Sequence, residues 1–111
     1  MKIAIIGSRK LIISDMRKYI SENCTEVVSG GASGIDACAR EYAKQNNIKI
    51  TEFIPNYKEY GRAAPIVRNK RIVDYSDEVI AFWDGASKGT ANVIHYCKKI
   101  GKKCTVIIIE Q

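Results

Sequence analysis

Apolar residues in this chain arrive in short unbroken blocks, and between the blocks they recur every three to four positions. Residues 2–6 hold Ile3, Ala4, Ile5 and Ile6 in one run that stops at Gly7, as a strand buried on both faces does. Residues 14–24 place Met16, Tyr19 and Ile20 on one helical stripe behind Ser14 as N-cap, which predicts a first helix. Residues 26–29 predict a second strand, and residues 34–46 a second helix burying Ile35, Cys38, Ala39, Tyr42 and Ala43. A third strand over 48–54 ends at Pro55, and residues 56–62 have turn composition. A third helix over 63–75 carries Pro65 in its first turn, where the missing N–H does no harm. A fourth strand over 78–83, a fourth helix over 89–100 closed by Gly101, and a fifth strand over 104–109 complete the pattern.

Strands alternating with helices in this way read as βαβ units and a parallel sheet. With right-handed crossovers the expectation is an α/β fold: a Rossmann-like, doubly wound, five-stranded parallel sheet with helices on both faces. One domain over residues 1–111 accounts for the whole chain. In such folds ligands bind at the carboxyl ends of the strands, which directs attention to the loops after strands one, two and four.

The loop after strand two reads Ser29-Gly30-Gly31-Ala32-Ser33-Gly34-Ile35-Asp36. A strand, a glycine turn and a helix N-terminus in succession aim backbone N–H groups at one spot and suit an anion, above all a phosphate. A capping box of Ser33 with Asp36 explains the same residues without a ligand. After strand one, Gly7 permits a tight turn, Ser8 offers a hydroxyl and Arg9 a fork of donors. After strand four, Asp84, Gly85, Ser87, Lys88, Gly89 and Thr90 again lead into a helix. Asp84 suits a ribose or a capped turn; Ser87 and Thr90 suit a phosphate or a helix cap. Arg68 and Arg71 stand three apart on one helix face with Asn69 between them, and Tyr57, Tyr60 and Arg62 precede them. An aromatic there could stack on a base, whereas the arginines also fit a solvated face. Trp83 fits core packing or a stacking platform.

The spacing excludes some chemistries. The run G-x-G-x-x-G is absent, and Ser29-Gly30 occupies the place of the ribose-binding acid of a dinucleotide site. The Walker pattern is absent as well. Cys24, Cys38, Cys97 and Cys104 form no C-x-x-C pair, and His95 is the single histidine. No metal and no cofactor is therefore expected, and the thiols read as reduced core residues. The net charge of +6 favours an anionic partner, although Lys98, Lys99, Lys102 and Lys103 cluster where a helix C-terminus favours cations. No apolar run suggests a membrane partner and no leader is apparent, which makes the cytoplasm the expected compartment.

Taken in order, Gly7-Ser8-Arg9, the run from Val28 to Asp36, Tyr60-Gly61-Arg62-Ala63-Ala64-Pro65 with Arg68-Asn69, and the run from Asp84 to Thr90 resemble the short YspA-like members of the SLOG superfamily. The resemblance spans nearly the whole chain. It implies a Rossmann-like domain for a nucleotide-type ligand. Related DprA proteins share a Ser-Gly-x-Ala-x-Gly-Ile-Asp segment and bind single-stranded DNA. Related LOG phosphoribohydrolases carry Gly-Gly-x-Gly-Thr-x-x-Glu, whose glutamate acts on the ribose. Here Gly89 and Thr90 match, Arg68 corresponds to the LOG arginine, and Val93 stands in the glutamate position. Valine cannot stabilise an oxocarbenium-like centre, so no catalytic residue is assigned. The resemblance ranks a sensor or sequestering protein for an ADP-ribose-like or cyclic nucleotide first. A phosphoribohydrolase and a nucleic-acid binder follow, and a homo-oligomer built through helices is expected.

Overall fold

A computed structural model describes residues 1–110. Five strands, β1 (Lys2–Gly7), β2 (Glu26–Ser29), β3 (Lys49–Glu52), β4 (Glu78–Trp83) and β5 (Cys104–Ile108), form one sheet in the order β3-β2-β1-β4-β5. Every pairing is parallel. The helices are α1 (Ile35–Gln45), α2 (Tyr57–Tyr60), α3 (Ala64–Tyr75) and α4 (Lys88–Ile100). The doubly wound α/β architecture is the expected one.

Alternation along the strands divides the core in two. Ile3, Ile5, Val27, Ile80 and Phe82 pack against Ile35, Ala39 and Ala43 of α1. Ala4, Ile6, Val28, Val79 and Ala81 pack against Ile72 and Val73 of α3 and Val93 and Cys97 of α4. Because β1, β2 and β4 are covered on both faces, their apolar runs are continuous. Cys97 is fully buried, and burial pushes its thiol up to about 12, so it packs as an inert side chain.

The first expected helix does not form. Residues 14–24 contain only a 3-10 turn, Met16–Lys18, whose N-cap is Asp15 rather than Ser14. Asp15 Oδ1 accepts from Arg17 N, and Ser21 Oγ accepts from Asn23 N. Short polar side chains offer the backbone local partners that compete with a helical ladder, and here they win. Most of the apolar stripe is nevertheless buried: Met16, Ile20 and Cys24 enter the α1-side core, while Tyr19 stays exposed on one side and packs edge-on to Phe82 with ring centroids 5.2 Å apart. A second departure lies at residues 56–62, expected as a turn. Asn56 Oδ1 accepts from Glu59 N and starts α2, which runs into a 3-10 turn, Gly61–Ala63. The third strand is also shorter than expected, and Cys38 and Tyr42 are half-buried.

At the amino end of the sheet, Glu26 opens β2 as a buried carboxylate. It accepts from Tyr75 Oη at 2.5 Å and Thr51 Oγ1 at 2.8 Å, with Lys49 Nζ at 3.7 Å. Lys2 Nζ lies 4.0 Å over the Tyr75 ring. The Tyr75 hydrogen bond, more than any other contact, holds the Glu26 carboxyl below its ordinary value of 4.5. A depressed carboxylate contributes stability above its unfolded value and loses it as pH falls through the folded one. Acid titration of stability should therefore steepen below pH 4.5, and Glu26→Gln should flatten that limb; an unchanged limb would remove Glu26 from the acid response. Burial in an irregular segment makes a second test. Met16→Ala should cost about 2–5 kcal/mol in urea unfolding, while exposed Arg17→Ala should stay within about 0.5 kcal/mol of the parent.

Candidate functional site

The chain leaves β1 toward β2 on one side and leaves β4 toward β5 on the other. Neighbouring strands whose connections diverge leave a crevice outside their carboxyl ends. Here it is a cleft of about 530 Å³ floored by Ile6, Ile72 and Val93.

Its first wall is the turn after β1. A Cβ on Gly7 would stand 2.5 Å from Ile35 Cγ1 and 2.6 Å from the Phe82 carbonyl oxygen, so only glycine lets α1 approach β1 and β4 here. Ser8 then donates its backbone N–H to the Phe82 carbonyl, and its own carbonyl accepts from Leu11 N and Ile35 N. The Ser8 side chain is buried, and its Oγ makes no well-formed hydrogen bond among the described residues, although it lies near enough to the Asp84 carboxyl to help lower its pKa. A buried hydroxyl without a partner is costly.

The second wall is the glycine loop. Gly34 has φ 67° and backs directly onto the Arg9 backbone, which leaves no room for a side chain. It is the N-cap of α1, without a side-chain cap. The capping-box alternative therefore fails: Ser33 is exposed, and Asp36 Oδ2 reaches back to Ala32 N at 3.1 Å. Burial raises the Asp36 carboxyl above its usual value, and the Ala32 N–H and the Arg68 charge oppose it.

Arg68 of α3 forms the third wall. Its Nη1 donates to the Gly30 carbonyl at 2.9 Å and the Phe53 carbonyl at 3.3 Å, and its Nε to Asn69 Oδ1 at 2.9 Å. Burial lowers its pKa from the usual guanidinium value, with Asp36 opposing. A Cβ on Gly30 would lie 2.5 Å from Arg68 Nη1 and 3.0 Å from Asp36 Oδ2, so the missing side chain is what lets both charged groups close over the loop. Arg71, the other arginine of the pair, instead donates to Tyr60 Oη at 3.2 Å.

The fourth wall is the N-terminus of α4. Asp84 Oδ1 accepts from Ala86 N at 2.9 Å and Ser87 N at 2.8 Å, and these two N–H groups hold its carboxyl below the usual range. Ser87 Oγ accepts from Thr90 N and lies 3.3 Å from Thr90 Oγ1. Trp83 is half-buried, its Nε1 donating to the Ser87 carbonyl. Asp84, Ser87 and Trp83 thus hold the turn that aims the first turn of α4 at the cleft.

Of the residues singled out in the sequence, the cleft brings together Gly7, Ser8, Arg9, Gly30, Ala32, Asp36, Arg68, Asn69, Asp84, Ser87, Gly89 and Thr90. Ser29, Gly31, Gly34, Tyr60, Arg62, Gly85 and Lys88 do not line it. Gly31 packs behind it, where a Cβ would meet Ile54 Cδ1 at 2.6 Å. Lys10, Pro65 and Ala86 line it without having been singled out; the place of Lys10 directly after Ser8-Arg9 was the available signal for one of them. Val93 is buried in the floor, so no carboxylate projects from that position. Among the described residues no group of three or more His, Cys, Asp or Glu could hold a metal ion, and no helix is long and apolar enough to cross a membrane.

The sequence model of one family, described as DNA recombination-mediator protein A, matches residues 1–59. That span holds β1, the glycine loop and α1, and stops short of Arg68 and the α4 N-terminus. No curated protein and no solved structure matches the chain.

The Gly30–Arg68 contact predicts a coupled pair. Gly30→Ala and Arg68→Ala should each cost about 1–3 kcal/mol, the first by displacing the guanidinium and the second by leaving two carbonyls unpaired. In the double variant the alanine at position 30 should cost clearly less than alone. Strict additivity in urea unfolding would mean that the contact does not carry the loop.

Proposed function

Because the chain belongs to the DNA recombination-mediator protein A family, we propose that its cleft binds a nucleotide or a nucleotide-derived signal such as an ADP-ribose-like or cyclic nucleotide. In this reading the chain is a single SLOG-type domain of the YspA-like kind that senses or sequesters its ligand in the cytoplasm. The observation that carries the proposal is the Ser8 hydroxyl, buried beside the Asp84 carboxyl without a well-formed hydrogen bond, on the wall of a cleft that the first turn of α4 also lines. A ligand oxygen would satisfy that hydroxyl and the N–H group of Gly89 together. Arg9 would add charge from the rim. Asp36 and Asp84 supply acceptor oxygens of the type that ribose hydroxyls use. A volume of about 530 Å³ suits one nucleotide-sized molecule. Ribosyl cleavage is the weaker option, because the floor carries Val93 where LOG enzymes carry their glutamate. Single-stranded nucleic acid is the second reading, and the family match favours it.

Thermal unfolding across a panel of nucleoside phosphates, ADP-ribose and cyclic nucleotides tests the proposal. A ligand at a hundredfold excess over Kd adds about 2.7 kcal/mol, a rise in Tm of roughly 10 °C or more for a domain of this size. Ser8→Ala should change the stability of the free protein little, since the buried hydroxyl makes no well-formed hydrogen bond there. It should weaken the ligand by about 1–3 kcal/mol. No stabiliser in the panel, together with oligonucleotide binding that tightens with length and collapses with salt, would replace this proposal with the nucleic-acid reading. Release of free base from a nucleoside monophosphate, abolished by Arg68→Ala, would establish an enzyme.

A further inference from the structure

The two edges of the sheet are built differently. The β3 edge reads Lys49-Ile50-Thr51-Glu52, and its terminal charges are engaged by Glu26 and Arg40. Charged side chains are a usual protection of an edge strand. The β5 edge reads Cys104-Thr105-Val106-Ile107-Ile108 and has no charge within it. Val106 is 38 % and Ile108 56 % exposed, and Ile100, ending the helix on the same face, is 43 % exposed. We propose that β5 pairs with β5 of a second copy of this chain, antiparallel, to make one continuous sheet across a two-fold axis.

The geometry restricts the register. Val79 N donates to the Lys103 carbonyl, and Ile109 N donates to the Trp83 carbonyl. In a parallel ladder the bonding residues alternate, so 103, 105, 107 and 109 serve β4, while Cys104, Val106 and Ile108 turn their N–H and C=O groups outward. A two-fold axis normal to the sheet keeps each face on its own side, so paired residue numbers sum to an even number. Centring the axis on Val106 pairs Val106 with its copy and Cys104 with Ile108, each as a hydrogen-bonded pair using the outward groups. The same register sets Lys102, whose ammonium is held by a carbonyl oxygen of Ser76 and not by a carboxylate, opposite Glu110, and an antiparallel copy places the basic start of each strand beside the acidic end of the other. A parallel copy would set like charges together. The exposed Val106 and Ile108 side chains share the face of Cys104, which packs under α4. In the dimer they become four adjacent apolar side chains, and a closed two-fold leaves no open β5 edge to propagate. The proposal is independent of what the cleft binds, because the cleft lies at the carboxyl ends of β1 and β4.

Sedimentation equilibrium from about 1 µM to about 1 mM should show a monomer–dimer equilibrium. Val106→Pro removes an outward N–H that β4 does not use, and Val106→Lys places charge at the axis. Both should weaken the dimer by about tenfold or more while circular dichroism retains the parent fold. The unmodified chain supplies an independent readout: amide exchange at Cys104, Val106 and Ile108 should slow as concentration rises, while the outward amides of Ile50 and Glu52 on the opposite edge should not. A chain that stays monomeric throughout overturns the proposal. A dimer whose β5 amides exchange at a rate independent of concentration, or one that survives both folded variants, overturns it equally.

Discussion

The cleft exists because Cβ atoms are missing at three places where chain segments press together. At Gly7 the backbone of β1 touches Ile35 and the Phe82 carbonyl, which draws the start of α1 down onto the carboxyl ends of β1 and β4. At Gly34 the turn into α1 backs onto Arg9, so the loops after β1 and β2 become one wall. At Gly30 the guanidinium of Arg68 and the carboxylate of Asp36 occupy the space a side chain would fill. Each contact joins elements distant in sequence, and without them the loops would separate and the polar groups they carry would not converge. The fold's topology supplies a crevice; these approaches make it narrow enough to enclose a small molecule.

Electrostatics follows from that packing. Asp36 and Arg68 are both pushed by burial toward their neutral forms, and each opposes the shift in the other. Their charges are mutually supporting, and the arginine also joins the loops after β2 and β3 through two carbonyls. Asp84 is in the opposite situation, held ionised by two backbone N–H groups of its own turn. One carboxylate therefore feels the charge of a nearby cation and the other is held by the backbone, while the Ser8 hydroxyl beside Asp84 makes no well-formed hydrogen bond.

How much of this was legible in the sequence depended on how strongly local signals agreed. The continuous runs at Ile3 to Ile6 and Val79 to Phe82 have no alternative to a doubly covered strand, and α4 announces itself with Ser87 at one end and Gly101 at the other. Residues 14–24 misled because the stripe of Met16, Tyr19 and Ile20 reports burial, not backbone conformation. The core needs those side chains, and the Asp15 and Ser21 turns deliver them without a helix. Arg68 and Arg71 could not be told apart by spacing: one turns onto Gly30 and the other onto Tyr60, a difference set by where α2 ends. Gly34 was legible as a ligand loop yet serves as the spacer against Arg9, since a glycine chosen for close packing and one chosen for ligand approach leave the same letter.

The two ends of the sheet differ in how fully their polar groups are satisfied. At the amino end, Glu26 meets a tyrosine, a threonine and a lysine, and Lys2 N donates to Asp77 Oδ2 at 2.7 Å. That end is a closed network in which polar groups satisfy one another, as a buried carboxylate requires. Nothing there invites a ligand. At the carboxyl end, satisfaction is weakest at Ser8, whose hydroxyl makes no well-formed hydrogen bond, and the first turn of α4 faces a volume that protein does not fill. A fold can leave such a group unpaired only if the rest of the chain secures the sheet, and the Glu26 network does so from the far side of the same strands.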